Sequence, residues 1–530
     1  MGTSHRYDVV VIGGGHNGLV TAGLLAKRGL KTVVLEKRHK VGGAAVTEQP
    51  WGPDYKMTAL SYVVSLMPPT VLRELELERH GYKIYPQHPY FVPYPDGRYL
   101  IMADDPKRKH AEISKFSKKD ADAMVAWDAW LASLAKVLGP LLTTVPPKIG
   151  SRTLGDLMAA AGLAWRFREL SVQQVGDITK LMGSSVADLL EETFESPQVK
   201  GVLSVSGVIG AWAGPRSPGT AYVMVHHKLG DVGHGQMGSW GFPEGGMGGV
   251  TQAMASAAKA QGATIVTDAA VAKILVRGGR ACGVALANGD EYEADTVVAT
   301  CHPKLTFLDF VDRKELPPEF VKTIEGWKSR SGTVKVNVAV DKLPDFECKP
   351  GFDPEVHGGT IVLAQNLEDI EGAFQDAVAG HAAHRPFADI CIPSVFDKTL
   401  APEGKHVISM FTQWVPHTWS KEPNREELEK YADRVIERVD ELAHGFKSSI
   451  LHRQVIGPYE MEQEYGLVGG NIFHGELSIA QLFHMRPAPG YADYRTPIRG
   501  LYHASSATHG GGGVTGIPAL QVVEQIRAER

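Results

Sequence analysis

The chain has 530 residues, 43% of them hydrophobic and 22% charged, the balance of an ordinary folded protein with room for two to four domains of about 100–200 residues. Its 55 basic and 60 acidic side chains leave a net charge of −5 and do not cluster, which excludes the footprint of a nucleic-acid binder. Four dispersed cysteines without a C-x-x-C pair exclude a redox dithiol of that type and a zinc ribbon, and no histidine spacing of a metal site occurs.

The first element expected is a buried strand, Val9-Val10-Val11-Ile12, running straight into Gly13-Gly14-Gly15-His16-Asn17-Gly18 and a helix over Leu19–Arg28. Gly13, Gly15 and Gly18 make G-x-G-x-x-G: a tight turn, an open approach for pyrophosphate, and close packing of helix on strand. The helix start offers free N–H groups to phosphate. A second strand, Thr32–Leu35, delivers Glu36 where a ribose hydroxyl is expected, and an acidic residue there suits an unphosphorylated ribose. Gly42-Gly43 follows, small enough for backbone to run beside the same ligand. The N-terminus enters this strand without a secretory or transit segment, and no run of about 18 apolar residues occurs. A cytoplasmic protein without a transmembrane helix is therefore expected.

The next segments read as two insertions into one nucleotide-binding domain. Residues 60–238 look mostly helical, with an amphipathic stripe over Ala121–Leu142 (Met124, Trp127, Trp130, Leu131, Leu134, Val137, Leu138) that suits a core face or a peripheral membrane contact. Residues 239–305 resume the first domain: a glycine-rich loop, a helix over Val250–Gln261, a strand at 264–266, and strands over 271–276, 281–287 and 291–293 with hairpin signals between them. A further buried strand is expected over Asp295–Thr300. Residues 306–495 hold alternating runs such as Thr333–Val340 and His406–Phe411, expected to form a half-exposed antiparallel sheet. Residues 496–530 close the first domain with a strand at 500–504, a bend containing Gly510-Gly511-Gly512-Gly513, and a helix from about Pro518. Four consecutive glycines are costly to order, which a flat ligand against the backbone, or a passive hinge, would explain. The fold class expected is α/β: a Rossmann-like domain of the glutathione reductase type, assembled from residues 1–59, 239–305 and 496–530, plus an α+β substrate domain with a mixed or antiparallel sheet and helices.

The constellation resembles the phytoene desaturase, carotenoid isomerase and carotenoid ketolase group of FAD oxidoreductases. The resemblance rests on the spacing from Gly18 to Glu36, on Gly42-Gly43, and on the C-terminal Gly-Leu-Tyr…Thr-His-x-Gly-Gly-Gly. His226-His227-Lys228, Gly238-Ser239-Trp240-Gly241 and Gly469-Gly470-Asn471 narrow it further. Gly510 stands where the group usually has Pro, and His503-Ala504-Ser505-Ser506 replaces its usual apolar glycine run. The resemblance implies FAD. Its ADP half and pyrophosphate would meet Ile12, Gly13, Gly15, His16, Asn17, Gly18, Glu36, Lys37, Arg38, Gly42, Gly43 and Ala44. Val271 would meet the adenine through its backbone, with Thr300 beside the first turn. Ser506, Gly513, Val514 and Thr515 would approach the ribityl chain or flavin ring. His509 and Glu244 are candidates for flavin tuning or proton transfer, against a plain role as loop hydrogen-bonding groups. Tyr62 and Trp240 either line the substrate pocket or pack in the core. The reaction implied is hydride removal from an apolar, isoprenoid- or acyl-type substrate. Polyene isomerisation, amine oxidation and a non-catalytic partner role are the alternatives. The electron acceptor stays open between oxygen, a quinone and another carrier, as does oligomerisation.

Overall fold

The computed structural model describes residues 3–148, 150–229 and 239–530, so Gly238 and the expected segment boundary there lie outside it. The strand Ser4–Ile12 occupies the centre of a seven-stranded sheet because its apolar end is buried on both faces, as a parallel strand requires. Thr32–Leu35 and then Thr264–Val266 follow on one side in parallel. Glu291–Ala299 pairs in parallel on the other. The two strands expected at 291–293 and 295–300 are one continuous element, and its length has a purpose. Residues 291–293 pair antiparallel with Arg280–Leu286, which continues to Val271–Arg277, whereas residues 297–299 pair in parallel with Leu501–His503. One strand thus carries both the hairpin and the C-terminal closure of the sheet.

The helices His16–Lys27, Met247–Ala260 and Ile517–Glu529 cover one face of this sheet. Phe307, Phe320 and Ile324 close the other face together with the apolar side of the antiparallel strands. The parallel strands all point the same way, so Gly13, Glu36, Thr300 and Ala504 emerge along one carboxyl edge, where open α/β sheets hold their ligands.

The second sheet runs Ile450–Ile456, Thr333–Val340, His406–Gln413, Phe387–Cys391, Thr360–Leu363, Phe91–Pro93 and Tyr99–Ile101. It is mixed: each pair is antiparallel except Thr360–Leu363 against Phe91–Pro93. The expected half-exposure of Thr333–Val340 does not hold, because all eight of its residues are buried. Its alternation separates two interiors rather than core from water. Val334, Val336 and Val338 enter the large hydrophobic core, while Thr333 and Lys335 face an internal cavity. Helix Lys118–Leu142, long and apolar enough by composition to cross a membrane, seats Met124, Trp127, Leu134 and Leu138 in that same core. Helix Leu154–Phe167 lies outside it with no buried residue.

Candidate active site

A cavity of about 470 Å³ runs from the carboxyl edge of the first sheet to the second sheet. Its near end is built by backbone. Gly13 takes φ +100°, and a Cβ on Gly18 would fall 1.9 Å from the Gly13 carbonyl oxygen, so the turn tolerates no side chain there. Gly15 differs: its backbone is extended, and a Cβ would meet no protein atom within 4 Å. The space beside Gly15 is the cavity itself. The following helix has no side-chain cap, leaving its first N–H groups aimed at that space. Asn17 lines it with a buried Oδ1 that has no hydrogen-bond partner among the described residues.

Glu36 stands at the end of the second strand, only 6% exposed. Its Oε2 accepts from the Gly14 N–H at 2.7 Å and its Oε1 from the Arg38 N–H at 2.9 Å. These bonds fix the carboxylate at the cavity wall, with lone pairs to spare for two further donors. Thr300 donates through its hydroxyl to the carbonyls of Ile12 and Gly13 and buttresses the turn. Gly42 donates its N–H to the Gly14 carbonyl, bringing Gly43 and Ala44 onto the wall.

The C-terminal bend closes the same space. Ser506, Gly513 and Val514 line the cavity that Ile12, Gly13, Gly15 and His16 also line, and the His16 ring faces the Gly513 backbone. Burial lowers the His16 imidazole to about 4, which keeps it neutral at physiological pH. Arg486, fully buried, holds the bend in place by donating to the Phe473 and Ser506 carbonyls at 2.8 and 2.9 Å. Lys37, Arg38 and Val271 lie on the wall as well.

Several sequence-based expectations need correction. Glu244 lies away from the cavity on a half-exposed surface, where Lys83 and the Tyr85 hydroxyl (2.6 Å) hold its carboxyl below the usual range. His509 does not line the cavity either; its Nε2 meets the Leu141 carbonyl at 2.8 Å and ties the bend to the end of a helix. Thr515 turns inward and accepts from the Ile517 N–H, stabilising the start of the last helix. Gly18 and Gly42 shape the turns without reaching the cavity surface.

The far end of the cavity is apolar, walled by Leu66, Ile209, Trp240, Phe411, Ile472 and Phe473. Tyr62 and Trp240 do line it. Sequence reasoning missed the polar group placed there. Lys335, 1% exposed, donates to the Ser409 hydroxyl and sits 4.7 Å from the centre of the Tyr62 ring. The Tyr62 hydroxyl donates to Asp389 Oδ2 at 3.3 Å, and Asp389 Oδ1 has no partner among the described residues. Burial pulls the Lys335 ammonium down to about 7 and pushes the Asp389 carboxyl up to about 7. The available signal, a lysine alternating with valines in a strand, is the same one that a wet face gives.

Comparison with known proteins places this geometry. Residues 18–447 match the model of the family described as flavin containing amine oxidoreductase. The rat protein called pyridine nucleotide-disulfide oxidoreductase domain-containing protein 2 is 39% identical, with 96% of this chain and 91% of that protein covered. A limonene dehydrogenase subunit of Castellaniella defragrans is 25% identical over 98% of this chain and 94% of its own. The solved structure of cyclohexylamine oxidase from Brevibacterium oxydans shares the fold, with a TM-score of 0.58, 19% identity and 99% of each chain covered. The glycine turn, the anchored Glu36, the unpartnered Asn17 oxygen and the open space at Gly15 fit the dinucleotide of FAD. The chain belongs to the family of flavin-containing amine oxidoreductases.

Proposed function

We propose that this protein is an FAD-dependent dehydrogenase that removes a hydride from a C–H bond of an apolar, isoprenoid- or acyl-type substrate. The observation that carries the reading is one continuous cavity, whose near end is a dinucleotide cradle and whose far end is walled by Leu66, Ile209, Trp240, Phe411, Ile472 and Phe473. When bound, the flavin supplies the two-electron acceptor. The chain's own part is to orient and to exclude water. Gly513 and Val514 bring backbone rather than charge to the cavity wall, Gly513 between His16 and Leu66. The aromatic and aliphatic wall desolvates a hydrocarbon and holds the reacting carbon in place. Similarity over nearly the whole chain to a protein named as part of a limonene dehydrogenase supports an apolar substrate. The likeness to amine oxidases at 19% identity speaks for fold rather than substrate.

The test is anaerobic bleaching of the flavin band in the purified protein, with limonene and medium-chain acyl esters set against cyclohexylamine and putrescine. The reading expects bleaching by the apolar compounds, the hydride reducing the flavin and the adjacent carbon releasing a proton to the medium, with a desaturated product. Bleaching by amines alone, with hydrogen peroxide on admission of air, would overturn it. Double-bond rearrangement of a polyene without net electron transfer would overturn it in favour of an isomerase.

A further inference from the structure

The helix Leu154–Phe167 is built the wrong way round for a helix packed on a core. Leu154, Leu157, Met158, Ala161 and Trp165 recur at three- and four-residue spacings and form one apolar row. That row points away from the protein, its four large side chains between 53% and 74% exposed. The opposite side is the one tied to the body. Asp156 there pairs with Arg495 at 3.0 Å, and Leu163 is partly buried. Arg166, on the flank, donates to the Thr144 hydroxyl at 3.2 Å. The next helix, Val172–Gly183, continues the pattern: Ile178, Leu181 and Met182 pack on the core, whereas Val172 and Val175 stay exposed. Seven of the twelve large hydrophobic side chains exposed among the described residues fall within residues 154–175, so the exposure is a patch and not a scatter.

The charges around the patch select what covers it. Arg152 stands at the start of the row and Arg166 and Arg168 at its end, all exposed and none in an ion pair among the described residues. The Arg168 guanidinium lies over the Trp165 ring at 3.2 Å. Of the acidic groups nearby, Asp156 is spent on Arg495 and Asp177 accepts from Gln173, while the linker between the helices adds Glu169. The patch is therefore basic in a chain whose net charge is −5. A second copy would seat this patch on itself across a two-fold axis, adding one basic surplus to another, which like charges oppose. An anionic phospholipid surface suits both features: acyl chains take the apolar row, and headgroup phosphates take the flanking guanidiniums.

We propose that this helix is a membrane-docking surface, lying in the headgroup region of an anionic phospholipid bilayer with Leu154, Leu157, Met158 and Trp165 at the acyl boundary and Arg152, Arg166 and Arg168 on phosphate oxygens. The helix lies on the bilayer and does not span it, since its 14 residues rise about 21 Å against a hydrocarbon core of about 30 Å. None of these residues lines the cavity, so the inference holds whatever the chamber binds.

The experiment uses the full-length protein and sucrose-loaded vesicles of phosphatidylcholine, alone or with about 30% phosphatidylglycerol. The native protein is expected to sediment with the anionic vesicles, and to bind neutral ones, or anionic ones at high salt, at least about fivefold more weakly. Leu157→Gln combined with Met158→Gln, which keeps helix propensity, should weaken anionic binding at least about tenfold and leave the unfolding midpoint unchanged. Brominated acyl chains should quench the native tryptophan emission, and Trp165→Phe should remove most of that quenching. Failure to bind anionic vesicles, or equal binding to neutral ones, would overturn the proposal. Full binding by the double variant, or quenching that survives Trp165→Phe, would do the same. A clearly lowered midpoint in the double variant would place the row inside the fold, and a native dimer that the double variant converts to monomer would give the face to a second copy; each result overturns the proposal too.

Discussion

At the scale of single residues, the site owes its chemistry to burial. Four histidines around the cradle and bend are held neutral by desolvation: His16 and His503 at about 4, His226 and His474 at about 3. Each has a folded value below that of the unfolded chain, near 6.5. Their contribution to stability is therefore full above pH 6.5 and is lost as pH falls toward the folded values, where the unfolded state gains protons that the fold refuses. Asp389, pushed to about 7, and Glu464, raised by burial, act in the opposite sense, against these four and against His227, His302 and His509, which burial also lowers. The unfolding free energy should fall steadily between pH 6.5 and 4, by up to about 1.4 kcal/mol per pH unit for each histidine, and the thermal midpoint with it. Thermal melts across that range check this, and a midpoint that stays level or rises on acidification would contradict it. The glycines and Glu36 were legible in the sequence because their roles are local, set by φ, by a missing Cβ and by a fixed spacing. Lys335 and Asp389 were not, since their meaning arises from the strands that carry Asp389, Ser409 and Lys335 lying side by side. His509 and Glu244 were attractive as titratable groups near glycine-rich turns, and both are absorbed by neighbours outside the cavity.

At the scale of elements, periodicity located helices and strands but not what lay on each face. Helix Lys118–Leu142 shows one outcome. Its stripe suited a core or a membrane equally well, and Met124 and Leu134 are buried in the core while Val125 on the opposite side is 66% exposed. Leu134→Ala should therefore cost about 2–5 kcal/mol of stability in aqueous denaturant unfolding, and Val125→Ala less than about 0.5 kcal/mol. Near-equal effects of the two would indicate that the helix is not seated in the core. The strand Thr333–Val340 shows the other outcome. Alternation is present, yet both faces are inside, and a period of two cannot distinguish water from an internal cavity. The merging of residues 291–299 into one strand has a similar cause. Asp295 breaks the apolar pattern, but hydrogen bonding carries through it, because the first half serves the antiparallel strands and the second half Leu501–His503.

At the scale of the whole molecule, the chain crosses between its two sheets repeatedly, and the cavity exists only because those crossings return to one edge. Gly15 near the N-terminus and Gly513 near the C-terminus line the same space. The first half of this arrangement could be read from the opening motif, and the tetraglycine bend hinted at the second. The location of the chamber between the sheets required the fold. A single variant isolates the central claim that this shared space is a flavin site. A Cβ at Gly15 would meet no protein atom within 4 Å, and its backbone is in a conformation any residue adopts. Gly15→Val should therefore leave folding intact and block only a ligand. The deciding measurement is FAD affinity and stoichiometry by absorption in the native and Gly15→Val proteins, with unfolding midpoints recorded on the FAD-free forms. The account predicts one FAD per native chain, affinity lowered at least about tenfold by the substitution, and matching midpoints. A native protein that takes up no FAD, or a Gly15→Val protein that binds it as tightly as the native one, would contradict it.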